Sequence, residues 1–436
     1  MQILTPDWLV TVDDADTVLD HGAVVVDEGR ILAVGPSADL LAEWPDAERV
    51  PLPGHVLLPG LVNAHTHLAM TMFRGLADDR DLQQFLDRLV PAESVVLDGD
   101  TVATATSAAA VESVCGGVTT ALDMYFFPDA VLDAADRVGL RVVTGPTFFA
   151  GPGPEGLGGA ARLEWADRWL SDRPARSGWR PVVAPHSTYL VGPDELVGLG
   201  ELAARHDATL HIHAAENPGE VTTVTDLHGR RPVDLLDELG LLGPRTVLAH
   251  AVVLDDRELA RVAETGTAVA HCPASNLKLA SGVARIPELV AAGAAVALGT
   301  DGAASSNDLD MFTAMRLTAL LHKGISGDAT VLPATRILRA ATAGGATALG
   351  LGDDIGSIEV GKRADLVAVD LDRPHLQPVY DPCSALVYAA GRADVRHVWV
   401  DGVAVVADGR PTRVDTSEVT AALGSLRGRV LDAAGP

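Results

Sequence analysis

Short apolar runs at residues 8–12, 23–26 and 31–34 alternate with Asp/Gly turns such as Asp27-Glu28-Gly29 over the first 56 residues. Short strand-like runs bounded by turn residues predict a small antiparallel β module. After His55 the texture changes to apolar runs of four to six residues separated by longer amphipathic segments. Runs at 56–63, 119–123, 141–144, 182–185, 209–213, 246–250, 268–271 and 295–299 predict buried strands, and 194–205 and 255–265 predict helices between them. Buried strands alternating with helices predict an α/β fold, a (β/α)8 TIM-like barrel, with a doubly wound open sheet as the alternative. Beyond residue 352 the short-strand texture returns at 366–369 and 395–400, the latter followed by the hairpin pair Asp401-Gly402. Both chain ends are therefore expected to build one β-sandwich module, dividing the chain into 1–56, a barrel over 57–355, and 356–436.

Charge narrows the partners. Acidic residues outnumber basic ones 59 to 33, and a formal charge of −26 repels nucleic-acid backbones and anionic lipid. A small-molecule substrate is expected, with no nucleic acid and no membrane, and homo-oligomerisation stays open. Cys115, Cys272 and Cys383 form no paired spacing, which signals neither a disulfide framework nor a thiolate metal site. Asp13, Asp14 and Asp16 stand where a signal peptide needs an apolar core, so a cytoplasmic location is expected. The glycines at 151, 153 and 156 imitate a dinucleotide fingerprint, but Pro152 and Pro154 inside it favour a loop.

Candidate chemistry sits where strands end. His65-Thr66-His67 follows the first barrel run, and residues two apart on an extended chain point the same way, which is metal-ligand spacing. His211-Ile212-His213-Ala214-Ala215-Glu216 ends another run, His250 a third and Asp301 a fourth. Taken singly, His211 reads equally well as a core residue and Asp301-Gly302 as an ordinary turn. Together, at the C-terminal ends of barrel strands, such groups converge on one mouth. Three imidazoles and a carboxylate suit Zn²⁺ or Fe²⁺ with one position left for water.

The stretches Pro59-Gly60-Leu61-Val62-Asn63-Ala64-His65-Thr66-His67, Phe73-Arg74-Gly75-Leu76-Ala77-Asp78-Asp79, Pro185-His186-Ser187 and His213-Ala214-Ala215-Glu216 resemble the amidohydrolase superfamily. So do His271-Cys272-Pro273-Ala274-Ser275-Asn276-Leu277-Lys278-Leu279, Gly299-Thr300-Asp301-Gly302-Ala303-Ala304-Ser305, and the run from Gly356 to Leu366. Within it, the chain is most similar to the S-adenosylhomocysteine and 5′-methylthioadenosine deaminases, with s-triazine hydrolases close by. The resemblance implies His65, His67, His213 and Asp301 as metal ligands, and Glu216, His250 and Asp301 as the catalytic groups. Glu216 would protonate the ring nitrogen beside the attacked carbon, Asp301 would take the water proton, and His250 would stand beside the reacting centre. Relatives with two metals use a carboxylated lysine on the fourth strand. No lysine precedes Lys278 here, so one divalent metal per chain is expected, zinc ahead of iron.

The resemblance also implies that Glu93 binds the ribose hydroxyls, that His186 contacts the purine, and that Arg162 is one of two arginines gripping a homocysteine carboxylate. The second would fall near Pro146, where no arginine stands, and Phe85 replaces a usual tryptophan. The expected activity is hydrolytic deamination of an adenine nucleoside of the 5′-methylthioadenosine, S-adenosylhomocysteine, 5′-deoxyadenosine or adenosine type. The alternatives are an s-triazine, guanine or pterin aminohydrolase on the same metal site, or a non-catalytic scaffold.

Overall fold

The two ends of the chain meet in one sheet because the apolar residues of its central strands bury both faces. A computed structural model describes residues 1–435. Nine strands join, in the order Arg410–Pro411, Val403–Ala407, Val395–Val400, Leu366–Asp370, Glu48–Pro59, Gln2–Val10, Gly22–Asp27 and Arg30–Pro36, with Val18–Asp20 paired beside Gln2–Val10. The seam is Glu48–Pro59, parallel to Gln2–Val10 on one side and antiparallel to Leu366–Asp370 on the other, where Leu366 faces Pro59 and Asp370 faces His55. Along the seam the burial has period two: Leu57, Leu366 and Ala368 pack in one apolar cluster with Leu4 and Leu9, whereas Val56, Leu58, Val367 and Val369 join the main core. Two tight hairpins use left-handed pairs, Glu28-Gly29 (φ 47° and 77°) and Asp401-Gly402 (φ 50° and 72°). Their tips touch, since a Cβ on Gly29 would lie 2.7 Å from the Asp401 carbonyl oxygen.

The middle of the chain is α/β with parallel strands. Leu61–Thr66, Val118–Asp123 and Arg141–Val143 form one run; Thr147–Phe148, Val182–Pro185, Thr209–Ala214, Thr246–His250, Ala268–His271 and Ala295–Leu298 form another. Backbone bonds bridge both gaps, Val182 N–H to Thr144 O (3.2 Å) and Asp301 N–H to His65 O (3.0 Å). Helices between strands start at side-chain caps, as in the capping boxes Asp98/Thr101 and Asp255/Glu258. Pro193–Arg205 and Asp256–Thr265 fill the expected helical segments. The tail is helical rather than extended at its end: Thr416–Ser425 and Arg427–Ala434 pack against Gly99–Cys115 and Leu82–Val96. Among the described residues, no helix is long and apolar enough to cross a membrane.

One buried ion-pair cluster ties the sheet to the parallel strands. Arg141, at the start of its strand, bonds Asp365 just before Leu366–Asp370, and its Nη2 lies 2.7 Å from Asp401. Side-chain exposure is 8% for Arg141 and 2% for Asp365, so removing the guanidinium strands a buried carboxylate. Arg141→Ala is expected to cost about 3–5 kcal/mol of stability, read as a lowered urea midpoint.

Candidate metal centre and active site

Strand ends bring the chemistry together. His65 and His67 come from the end of Leu61–Thr66, His213 from Thr209–Ala214, His250 from Thr246–His250, and Asp301 follows Ala295–Leu298. One donor atom from each of His65, His67 and His213 lies within 4.8 Å of the others, and the same holds for His65, His250 and Asp301. Asp301 Oδ1 is 3.3 Å from Nε2 of both His65 and His67, and His67 Nε2 is 3.3 Å from His213 Nε2. The backbone is left-handed at Ala215 (φ 53°), His250 (φ 71°) and Asp301 (φ 61°), none of them glycine. Such conformations cost free energy and persist where the surroundings enforce them, commonly at functional sites.

Outer hydrogen bonds fix how each ring is presented. His67 Nδ1 is held by Met124 O at 2.6 Å and His213 Nδ1 by His186 O at 2.8 Å. A carbonyl accepts only, so each Nδ1 carries the proton and each Nε2 turns a lone pair inward. His65 reaches the same state through a relay. His211 Nδ1 donates to Val247 O (3.1 Å), which leaves His211 Nε2 to accept from His65 Nδ1 (2.8 Å). The expectation had left His211 open as a core residue; it is fully buried and also sets the tautomer of a candidate ligand. His65 Nε2 is buried without a hydrogen-bond partner, as a ligand atom would be. Asp301 Oδ2 accepts from Ser275 Oγ (2.7 Å) and Ser305 Oγ (2.6 Å), which leaves Oδ1 toward the imidazoles.

The electrostatics call for a cation. Burial opposes charge on Asp301, yet the imidazoles of His65 and His67 beside it hold its carboxyl well below the usual range. Burial likewise opposes charge on His67, yet Asp301 raises it to about 9. Burial pushes His65 down to about 3 and His213 well below its ordinary value, which keeps their lone pairs free. Three imidazoles whose Nδ1 atoms are tied outward and one carboxylate, facing each other at these distances, fit a divalent metal, which would displace the proton that His67 shares with Asp301.

Glu216 lines the same narrow chamber as His67, His186, His213, His250 and Asp301. Burial raises its carboxyl pKa, which favours a group that gives up a proton during a reaction. Its backbone is clamped by Glu220, a buried carboxylate that sequence reasoning missed: Oε1 takes the Ala215 N–H (3.1 Å) and Oε2 the Glu216 N–H (2.6 Å). Asn276, which nothing in the sequence singles out beyond its motif, accepts through Oδ1 from His250 Nδ1 at 2.9 Å. His186 forms the wall, 4.7 Å from the His213 ring centroid, with burial lowering its pKa to about 4.

The remaining expected residues lie outside that chamber lining. Glu93, on Leu82–Val96, accepts the Tyr125 hydroxyl at 2.5 Å, and burial lifts its carboxyl to about 7. Arg162 is buried and fully engaged by protein: Nη1 donates to Thr147 O (2.6 Å), Nε to Leu157 O (3.1 Å), and Nη2 to Glu155 (3.0 Å) and Leu157 O (3.0 Å). Glu155 in turn holds the Phe127 N–H at 3.0 Å, and the Phe149 ring lies 5.2 Å from the guanidinium carbon. The glycine-rich stretch around 151–156 is therefore the loop that wraps this ion pair.

Because His211 links His65 Nδ1 to Val247 O, His211→Phe is expected to weaken metal affinity about 10- to 100-fold. Competition with a chromogenic chelator measures it, and an unchanged dissociation constant rejects the relay.

Comparison with known proteins agrees with this geometry. The model of the Amidohydrolase family matches residues 56–405. An imidazolonepropionase-like composite domain of bacteria matches 22–47. A 5-methylthioadenosine/S-adenosylhomocysteine deaminase of Syntrophobacter fumaroxidans is 44% identical over 424 residues, 96% of this chain and 95% of the relative. The crystal structure of an adenosine deaminase from Xanthomonas campestris with bound zinc has a TM-score of 0.95 at 38% identity, covering 98% of each chain. That of the atrazine chlorohydrolase TrzN from Arthrobacter aurescens, complexed with zinc, has 0.90 at 26%, covering 98% of this chain and 100% of the other. With most of its length matched and its histidines and aspartate gathered at the strand ends, the chain belongs to the amidohydrolase family.

Proposed function

We propose that this protein is a metal-dependent hydrolytic deaminase of adenine nucleosides that releases ammonia and the inosine-type product. The observation that carries the reading is one buried chamber in which His65, His67, His213 and Asp301 face each other while Glu216 and His250 share the wall. The 44% identity to a deaminase of such nucleosides supports the substrate class. His65, His67, His213 and Asp301 hold one divalent metal, with zinc favoured by its presence in two similar structures. When bound, such an ion brings the pKa of a coordinated water from about 15.7 toward 7.

The chain's own groups do the rest. Asp301, braced by Ser275 and Ser305, accepts the water proton through Oδ1. Water oxygen adds to the ring carbon that carries the amino group. Glu216, whose burial raises its carboxyl pKa and so favours the acid form, delivers a proton to the adjacent ring nitrogen, so negative charge does not build up on the ring. His250, oriented by Asn276, polarises the attacking water; Asp301 passes the proton it took to the amino group, and ammonia departs as the carbon–nitrogen bond breaks while the new hydroxyl returns a proton to Glu216. Glu93 serves the ribose hydroxyls and the neutral His186 ring contacts the purine.

The parallel strands are assigned to one (β/α)8 barrel over 57–355, supported by the Asp301–His65 and Val182–Thr144 backbone bonds across its two gaps. Residues 1–56 and 356–436 make the accompanying β-sandwich module, supported by the shared seam at Glu48–Pro59. Three free cysteines suit a reducing cytoplasm. Glu216→Gln is expected to keep the metal while lowering kcat about 10²- to 10⁴-fold, followed by ultraviolet absorbance on adenosine, 5′-deoxyadenosine and 5′-methylthioadenosine. Near-normal turnover in the variant refutes the role of Glu216, and no wild-type turnover of any adenine nucleoside refutes the function.

A further inference from the structure

The metal chamber opens into a second cleft, and Leu82, Leu86, Tyr189 and Leu279 line both. The outer cleft holds about 380 Å³, within the range of small-molecule sites. Three leucines and a tyrosine at the junction make its inner wall largely apolar. Among the described residues, neither lysine nor arginine lines it, whereas Asp81 and Glu220 do. Both carboxylates are occupied by backbone donors, Asp81 by Gln84 N–H (2.9 Å) and Glu220 by the N–H groups of residues 215 and 216. Arg80, the residue before Asp81, is exposed and stands outside that lining. Lys278, next to Leu279 in the chain, gives its ammonium to Asp78 (2.7 Å) and Ala304 O (3.0 Å). Arg162 is neutralised by Glu155 inside its own loop.

A base whose amino-bearing carbon reaches Glu216 and the ligand cluster fills the inner chamber, so the rest of the nucleoside extends outward through the Leu82–Tyr189 junction. An anionic tail would there lose water without gaining a counter-ion and would approach Asp81. A methyl, thioether or hydroxymethyl end would lose little and would cover leucine side chains.

Resting on the deaminase reading above, we infer that this vestibule selects adenine nucleosides with an uncharged 5′ substituent and discriminates against those bearing an amino-acid carboxylate.

The test is kcat/KM of the metal-loaded full chain for 5′-deoxyadenosine, 5′-methylthioadenosine and S-adenosylhomocysteine, in the wild type and in Thr223→Arg. Thr223 lines the vestibule, is exposed, and belongs to none of the catalytic machinery. The wild type is expected to favour the two neutral nucleosides over S-adenosylhomocysteine by about tenfold or more, mostly in KM. The added guanidinium is expected to raise kcat/KM for S-adenosylhomocysteine about fivefold, with 5′-deoxyadenosine changed less than about twofold. Equal wild-type use of charged and neutral nucleosides overturns the inference, and so does a variant that moves both substrates together. Inactivity toward all three instead removes the deaminase reading, which separates the two failures.

Discussion

The position of Asp301 is the constraint on which the site depends. Its N–H bonds His65 O at 3.0 Å and its carbonyl accepts from Thr66 Oγ1 at 3.0 Å, so the strand Ala295–Leu298 is drawn to the strand Leu61–Thr66 through the residue that carries the carboxylate. The same contact that spans the gap between sheets thus places Oδ1 3.3 Å from two imidazoles. Backbone closure and charge placement are one arrangement, enforced against a left-handed φ of 61°. Any substitution that relaxes this turn would loosen the sheet contact and the metal seat together.

Around that point the polar atoms are arranged in layers, each of which disposes of a proton. Carbonyls of Met124, His186 and Val247 take the outward N–H groups, directly or through His211, and the inward nitrogens are left basic. Serines take the outward oxygen of Asp301, leaving the inward one. An interior that turns several imidazole lone pairs toward one buried carboxylate is costly without a cation and coherent with one. Family membership and the gathered histidines and aspartate both fit the metal chemistry proposed above.

Much of this was legible in the sequence, for physical reasons. Buried parallel strands need unbroken apolar runs, so 182–185, 246–250 and 268–271 coincide with observed strands to the residue. Asp401-Gly402 announced its hairpin because few pairs tolerate two positive φ angles. What the residues did not disclose was partnership. Nothing local distinguishes a core histidine from one that relays a tautomer, so the role of His211 became visible only with Val247 and His65 beside it. Arg162 is likewise matched to a motif by its neighbours in the chain, whereas its occupation depends on Glu155 seven residues earlier folding back. The helices at 416–434 follow a β-like stretch, and few of their side chains are buried, so their apolar pattern is weak.

The seam between the chain ends also orders events in time. Glu48–Pro59 leaves the ribosome about 310 residues ahead of Leu366–Asp370, its antiparallel neighbour. At roughly 5–20 residues per second, that edge waits on the order of 15–60 s with its hydrogen-bonding groups unpaired. During this interval the nascent chain presents an open strand edge of the kind that recruits chaperones or other chains. Expression conditions that slow elongation lengthen that exposure, and yield rather than catalysis is where the topology would be felt.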